Sequence, residues 1–320
     1  MKNKILIVSG DPNSINSEII YKSWKNLKAN TKKKIFFISN YLLLKKQFKK
    51  LKYKINLMRV KNIDNNCFNN SLKVLDVPLR FVDPFNVPYK SSVKFVKNSL
   101  NLAHSLAIKK KVNGIINCPI DKKLLKKKNS GITEYLASKC KIKNGSEVML
   151  IKGKKLSVIP VTTHIQLKDV SKKIKSDLII KKIITYYKWF KLTYKRNPNI
   201  GILGLNPHNA ELTKNSEEYR IIIPAIKKIK KRGYKIKGPL VADTVFINDY
   251  KNYDVIIGMY HDQVLAPFKT IFKFDAINVT LGLKYPRLSP DHGTAKDILK
   301  KKIANPSSLI RCIEFLSKLK

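Results

Sequence analysis

The chain has 320 residues, 43% of them apolar, and its 66 Lys and Arg against 21 Asp and Glu give a formal charge of +45. That apolar content is enough for a large core, and no apolar run reaches the roughly 18 residues that span a membrane, which excludes an integral membrane protein. Only seven of the basic residues are Arg, and because sites that read phosphate or base edges favour the planar Arg fork, we expect no specific nucleic-acid partner.

Short, continuously apolar segments alternate along the chain with longer segments of helical period. Strands are predicted at residues 4–8, 35–39, 114–117, 148–151, 156–161, 200–205, 255–259 and 276–281. Helices are predicted at 18–29, 93–110, 176–191 and 218–231. Continuous apolar strands are typical of a sheet covered on both faces. Their alternation with helices predicts an α/β fold with a mostly parallel sheet.

A chain of this length favours two lobes with a central cleft between them. We expect a discontinuous first lobe of residues 1–125 plus 270–320, and a second lobe of residues 126–269. The four cysteines (Cys67, Cys118, Cys140 and Cys312) lie far apart, which predicts free, mostly buried thiols. The apolar run at 5–8 is shorter than a signal-peptide core of about 7–15 residues. We therefore expect a cytoplasmic protein.

A histidine follows each of three predicted strands: His164, His208 and His261. In open α/β sheets the ligand crevice lies beyond the carboxyl ends of the strands. Three imidazoles delivered there would form a metal site with open positions. The gaps of 44 and 53 residues between them carry no local ligand spacing. Histidines that merely hydrogen-bond within their loops are therefore the alternative interpretation.

Polar neighbours accompany two of these histidines. Asp262 and Gln263 follow His261, and Asn206 precedes His208, so each is a candidate to orient an imidazole.

Three further side chains follow the third of these strands, namely Lys269, Asn278 and Arg287. Together they could hold a phosphate or carboxylate through charge-assisted hydrogen bonds. A helix is also predicted to begin near Ala295, with Asp291 or Thr294 as its cap, and its free amides would bind an anion or a dinucleotide phosphate. No Gly-x-Gly-x-x-Gly follows a predicted strand, so an ordinary Rossmann dinucleotide site is unsupported.

Short motifs occur in a fixed order from about residue 4 to residue 300. They are Gly10-Asp11-Pro12, Cys118-Pro119-Ile120, Thr133-Glu134-Tyr135, Thr162-Thr163-His164, Gly204-Leu205-Asn206-Pro207-His208, Ala242-Asp243-Thr244, Tyr260-His261-Asp262-Gln263, Asn278-Val279-Thr280 and Asp291-His292-Gly293-Thr294. In this order they resemble the 4-hydroxythreonine-4-phosphate dehydrogenase family of pyridoxal phosphate biosynthesis.

The resemblance implies a fold like that of isocitrate and isopropylmalate dehydrogenases, and a homodimer with a shared active site. It implies that a divalent metal (Zn, Mg or Co) is held by His164, His208 and His261, one of them reaching in from the partner subunit. The implied remaining roles are catalysis by Lys269 and Asp243, substrate binding by Thr133, Lys269, Asn278 and Arg287, and binding of NAD or NADP by His292, Gly293 and Thr294.

The implied reaction oxidises and decarboxylates 4-phosphohydroxy-L-threonine to 3-amino-2-oxopropyl phosphate. The chain departs from the family at Ile132, where a histidine usually contacts the substrate, and in the stretch after His208, which is normally rich in glycine. A related dehydrogenase for another four-carbon phosphorylated hydroxy acid is the nearest alternative. A non-catalytic paralogue and a basic nucleic-acid-binding protein are more distant ones.

Overall fold

The structure is a computed structural model that describes residues 4–64, 70–125, 131–142, 146–273 and 275–319. It divides into two units, Met1–Cys140 with Leu283–Lys320 and Lys141–Gly282.

The boundaries between the two units lie at residues 140/141 and 282/283, whereas the sequence predicted them at 125/126 and 269/270. The Tyr135 hydroxyl donates to Asn101 Oδ1 at 2.9 Å, which joins the segment after 130 to the first unit. The last strand before residue 283 pairs with a strand of the second unit. Residues 126–130, at the first predicted boundary, lie outside the described residues.

The strands carry the following labels in chain order: β1 Ile5–Val8, β2 Ile35–Ser39, β3 Leu57–Val60, β4 Leu72–Asp76, β5 Gly114–Asn117, β6 Val148–Lys152, β7 Ser157–Pro160, β8 Ile200–Leu203, β9 Ile236–Leu240, β10 Val255–Gly258, β11 Ile277–Leu281 and β12 Arg287–Pro290. The α-helices are α1 Asn16–Asn26, α2 Ala29–Lys32, α3 Tyr41–Lys50, α4 Tyr89–Ile108, α5 Ile132–Lys139, α6 Val170–Lys173, α7 Ser176–Tyr194, α8 Ile223–Lys230, α9 Ala242–Val245, α10 His261–Phe272 and α11 Ser307–Lys318.

The first unit carries six parallel strands in the order β3-β4-β2-β1-β5-β12. Every residue of β1, β2 and β5 is buried, as the continuous apolar runs predict. Helix α11 packs on β12. It buries Leu309, Cys312, Ile313 and Leu316, and this i, i+3, i+4, i+7 spacing places all four side chains on one face of the helix.

The second unit carries six strands in the order β11-β6-β7-β10-β8-β9. Strands β7, β10, β8 and β9 are parallel, while β6 runs antiparallel to both β7 and β11. Its core includes Ile256, Leu265 and Phe268, which are all buried. Since β7, β10 and β8 are parallel neighbours, their carboxyl ends meet at one edge of the sheet.

All eight predicted strands are present, and the α/β class with a mostly parallel sheet is confirmed. Four of the strands that the structure describes were not predicted: β3, β4, β9 and β12. Cys118, Cys140 and Cys312 are free and buried, as predicted, and Cys67 lies outside the described residues. No helix in the described part of the chain combines the length and the apolar character needed to cross a membrane.

Gly10 makes the turn that follows β1 possible. Its φ is +77°, and a Cβ there would lie 2.5 Å from the carbonyl oxygen of Pro119. Asp11 continues this turn, donating its backbone N–H to the same carbonyl at 3.0 Å. The Gly10-Asp11-Pro12 motif therefore holds the end of β1 against the segment after β5.

Replacing Gly10 with Ala is expected to destabilise the protein more than the same change at Gly233. Gly233 also has a positive φ, +80°, but among the described residues only its own chain neighbours can come within 4 Å of an added Cβ. Both variants incur the left-handed backbone cost of about 1–2 kcal/mol, and only Gly10→Ala adds a clash. Urea unfolding of both variants measures the difference, and equal losses would contradict a close-approach role for Gly10.

Candidate active site

His164 and His261 lie side by side at the carboxyl edge of the second unit. Strands β7 and β10 are paired in register, with Pro160 opposite Gly258. His164 follows the first strand by four residues and His261 begins α10 after the second. Their ring centroids are 5.9 Å apart with an interplanar angle of 39°. The two imidazoles are close enough to share one small ligand.

Asp262 contacts the His261 ring, as the sequence predicted. Its Oδ1 lies 2.6 Å from Nδ1 of His261. A carboxylate on one ring nitrogen fixes the orientation of an imidazole and leaves Nε2 available to a ligand. Asn206 and Gln263, the other predicted orienting residues, make their hydrogen bonds to Glu217 and Glu218 and to the backbone instead.

His208 lies in a turn, Pro207–Leu212, that follows β8. Its side chain is 71% exposed, and its Nδ1 lies 3.9 Å from Glu211 Oε1. Within the described residues, no three or more His, Cys, Asp and Glu side chains group closely enough to hold a metal ion. This chain therefore brings two of the three predicted histidines together and leaves the third exposed.

The His208 turn has an unusual backbone. Residues 208–212 all have positive φ, between 46° and 57°. Left-handed conformations cost about 1–2 kcal/mol for a residue with a Cβ, and such strain concentrates at functional sites. The glycine-rich stretch expected from the resemblance would adopt this turn without that cost.

Glu218 holds the start of the same loop and was not predicted. It is fully buried, and its Oε1 accepts hydrogen bonds from the backbone N–H groups of Leu205 at 2.6 Å and Asn206 at 2.8 Å. Burial acts to raise the pKa of Glu218, but the hydrogen bonds from Asn206 and Leu205 lower it below its ordinary value. Its signal in the sequence is that acidic residues are scarce in a chain with 21 Asp and Glu.

Arg287 is a buried cation in the first unit. It is 3% exposed, its Nε donates to Asn117 Oδ1 at 2.6 Å, and its guanidinium also donates to Thr133 Oγ1 at 3.3 Å. Burial lowers the pKa of Arg287 to about 10, so the side chain remains charged at neutral pH. Arg287 and Thr133, two predicted substrate residues, are therefore in contact, and Asn117 at the end of β5 is a further partner of Arg287 that was not predicted.

The remaining predicted residues of the second unit lie on α9, α10 and β11. Lys269 is exposed on α10, and Asp243 is exposed in the first turn of α9. Asn278, on β11, has a buried Oδ1 that accepts no hydrogen bond from any residue the structure describes. A buried acceptor without a hydrogen bond lowers the stability of the protein by about 1–3 kcal/mol. A ligand that donates a hydrogen bond to Asn278 Oδ1 would recover this free energy.

The prediction of a helix that begins near Ala295 is wrong. Ala295 has φ 45°, a left-handed conformation that cannot begin a right-handed helix, and only a 3₁₀ turn, Lys296–Ile298, follows. The N-cap residue of this turn is Ala295 rather than the predicted Asp291 or Thr294. His292, Gly293 and Thr294 lie in an irregular loop, where His292 Nδ1 is 3.0 Å from the carbonyl oxygen of Gly293.

The family model of pyridoxal phosphate biosynthetic protein PdxA matches residues 30–316. A 4-hydroxythreonine-4-phosphate dehydrogenase of Sulfurihydrogenibium is 36% identical over 99% of this chain and 98% of its own. A relative from Oceanobacillus iheyensis, whose name refers to D-threonate 4-phosphate, is 30% identical over 96% of this chain and 95% of its own.

Solved structures agree with these relatives. A 4-hydroxythreonine-4-phosphate dehydrogenase from Klebsiella pneumoniae has a TM-score of 0.86 and 28% identity, covering 100% of this chain and 99% of that one. A β-decarboxylating dehydrogenase from Thermococcus kodakarensis has a TM-score of 0.53 at 12% identity, covering 99% and 82%. That second likeness shows a shared fold, which confirms the predicted fold class.

Replacing Ala210 with Gly is expected to stabilise the protein, because φ at this position is 48°. Glycine removes the free-energy cost of the left-handed backbone, and this exceeds the entropy that glycine adds to the unfolded chain. The free energy of unfolding is therefore expected to rise by about 0.5–1 kcal/mol. Ala225→Gly, inside α8, is the control and is expected to lose about 1 kcal/mol. Thermal or urea unfolding gives both values, and a loss at both positions would show that the turn is unstrained.

Proposed function

The chain belongs to the family of pyridoxal phosphate biosynthetic protein PdxA, and from this premise we propose how its residues act in a 4-hydroxythreonine-4-phosphate dehydrogenase. The observation that carries the proposal is the pair of imidazoles, His164 and His261, at the ends of adjacent parallel strands. The buried Arg287 supplies the second element, a cation for an anionic substrate.

The residues of the second unit fit a divalent metal ion. Two imidazoles, one oriented by Asp262, form a donor set that suits zinc or cobalt better than magnesium, which prefers oxygen ligands. When bound, such a cation supplies a Lewis acid that lowers the pKa of a coordinated hydroxyl group. We assign His164, His208 and His261 as the ligands.

His208 points to a shared site in a homodimer, because this chain alone does not bring it to the other two. Its ring is largely exposed, and apolar side chains in the histidine loops are exposed as well: Ile165, Leu167 and Leu212. Burying such residues favours association. In the proposed dimer, His208 of one copy completes the ligand set of the other.

We propose that Arg287 and Thr133 bind one anionic group of the substrate, and that Lys269 and Asn278 also contact the substrate. A guanidinium donates two parallel hydrogen bonds to a phosphate or carboxylate, and Asn117 fixes the orientation of this one. Since the phosphate and carboxylate lie at opposite ends of 4-hydroxythreonine 4-phosphate, two cationic positions suit the molecule.

The proposed reaction has two stages. Asp243 would accept the proton of the C3 hydroxyl, and NAD or NADP, when bound, would supply the acceptor for the C3 hydride, so that the substrate becomes a 3-oxo acid. The C1–C2 bond then breaks with release of carbon dioxide, and Lys269 Nζ returns a proton to C2. The product is 3-amino-2-oxopropyl phosphate.

The loop of His292, Gly293 and Thr294 is the proposed site of the dinucleotide. Apart from its chain neighbours, no residue that the structure describes comes within 4 Å of a Cβ built on Gly293, so this backbone leaves room for a ligand. The free thiols of Cys118, Cys140 and Cys312 support the proposal that the enzyme works in the reducing cytoplasm.

A second candidate substrate is a related four-carbon phosphorylated acid. Ile132, the first residue of α5, precedes Thr133 where the resemblance implies a histidine, and its side chain cannot hydrogen-bond to a substrate beside Thr133. The relative named for D-threonate 4-phosphate makes that compound the one to compare. Measuring kcat/KM for both compounds, with Ile132→His alongside the natural chain, decides between them.

The activity is tested by following reduced nicotinamide with 4-hydroxythreonine 4-phosphate, NAD and zinc or cobalt. We expect turnover that a chelator abolishes and added metal restores. Ala at His164, His208 or His261 is expected to abolish turnover with little change in thermal stability, since none of the three side chains is buried. Full activity of His208→Ala would refute its role as a ligand.

Arg287→Lys is expected to lower kcat/KM by at least about 30-fold, the equivalent of about 2 kcal/mol. A lysine places a single point charge where the guanidinium donates a fork of hydrogen bonds. Arg59→Lys is the matched control, since Arg59 belongs to the same unit but is 61% exposed in its pair with Asp76. Steady-state kinetics with unaltered kcat/KM for Arg287→Lys would contradict the assignment.

A further inference from the structure

A set of hydrogen bonds joins the three loops that carry His164, His261 and His208. The loops follow β7, β10 and β8 in turn. Thr162 Oγ1 donates to the carbonyl oxygen of Met259 at 2.7 Å, and its backbone N–H donates to the same oxygen at 3.1 Å. Thr162 and Met259 each lie two residues before a histidine, so this contact fixes the His164 loop to the His261 loop.

Gln263 makes the second connection with both ends of its side-chain amide. Its Oε1 accepts from the backbone N–H of Met259 at 2.7 Å, and its Nε2 donates to the carbonyl oxygen of Gly204 at 2.7 Å. Gly204 directly follows β8 and lies four residues before His208. One side chain therefore links the backbone before His261 to the backbone before His208.

Two neighbouring residues, Gly258 and Glu218, support the contacts that Gln263 makes. A Cβ on Gly258 would lie 2.8 Å from Gln263 Oε1, so the glycine at the end of β10 leaves room for the amide. On the other side of Gly204, the buried Glu218 holds the N–H groups of Leu205 and Asn206. The His208 loop is thus fixed by a carboxylate at one point and by Gln263 at the next.

We propose that Gln263 is a positioning residue that fixes the His261 loop against the His208 loop of the same chain and so preorganises one ligand loop of each of the two metal sites in the proposed dimer. The inference rests on the proposed metal-binding function of the histidines. Gln263 does not itself bind the metal; its effect passes through the two backbone groups that it joins. Residues that orient metal ligands in this way typically contribute 10–100-fold to metal affinity.

The test is a titration of the full-length protein with Co²⁺, read from the visible absorption of the bound ion, with no substrate present. Gln263→Met keeps the length of the side chain and removes both hydrogen bonds. We expect its Co²⁺ affinity to fall about 10–100-fold. Gln263→Glu keeps an acceptor for Met259 and places a carboxylate oxygen against the Gly204 carbonyl, so we expect a loss of similar size. Should the methionine variant fail to fold, the glutamate variant gives the result.

Gln47→Met is the matched control. Gln47 is a buried glutamine of the first unit. Its Nε2 also joins two loops, because it donates to the carbonyl oxygens of Pro12 at 2.9 Å and Pro84 at 2.7 Å. We expect this variant to lose stability while its Co²⁺ affinity stays within about twofold of the natural chain. Oligomeric mass and thermal unfolding are measured for every variant, so that loss of assembly or fold is recognised.

His261→Ala separates failure of this inference from failure of the proposed function. If His261→Ala binds Co²⁺ as the natural chain does, the ligand assignment itself is wrong. If His261→Ala loses Co²⁺ while the folded Gln263 variants bind it with unchanged affinity, only the positioning role of Gln263 is refuted.

Discussion

The candidate metal site depends on the parallel alignment of β7, β10 and β8. Parallel neighbours end at the same edge of a sheet, so the loops that follow them emerge together. Register pairing places Pro160 opposite Gly258, and the histidines that follow come to lie 5.9 Å apart. Hydrogen bonds from Thr162 to the carbonyl oxygen of Met259 then join the His164 loop to the His261 loop. Without that pairing, residues distant in sequence would not meet.

A second constraint is the burial of Arg287. Taking a guanidinium out of water is costly, and burial lowers the pKa of this one to about 10. Asn117 Oδ1 and Thr133 Oγ1 offset part of that cost by accepting hydrogen bonds from the guanidinium. A buried charge is screened less by water and salt than an exposed one. In the proposed site, Arg287 would therefore attract an anionic group more strongly than an exposed lysine does.

Much of this arrangement follows from the sequence. The buried strands were recognisable because they are continuously apolar, and the polar residues directly after them mark the edge where ligands bind. The missed strands lack that pattern. β9 contains Gly238 and Pro239, β12 begins with the buried Arg287, and β3 is mostly part-exposed. Their formation depends on neighbouring strands, which a local pattern does not reveal.

The sequence also could not show which polar residues touch which. Gln263 was a candidate to orient an imidazole, yet its amide joins two backbones. Glu218 gave no motif of its own, and its role depends on a loop 12 to 13 residues away in sequence. The helix expected after Ala295 failed because of a left-handed residue that propensity does not encode. Such contacts are set by tertiary structure.

The most direct test of the metal site is a crystal structure of the protein grown with Co²⁺ and measured at the cobalt absorption edge. We predict an anomalous peak in contact with the imidazoles of His164 and His261, with His208 of a second copy as the third ligand. A fully loaded crystal whose cobalt lies away from both His164 and His261 would contradict the account.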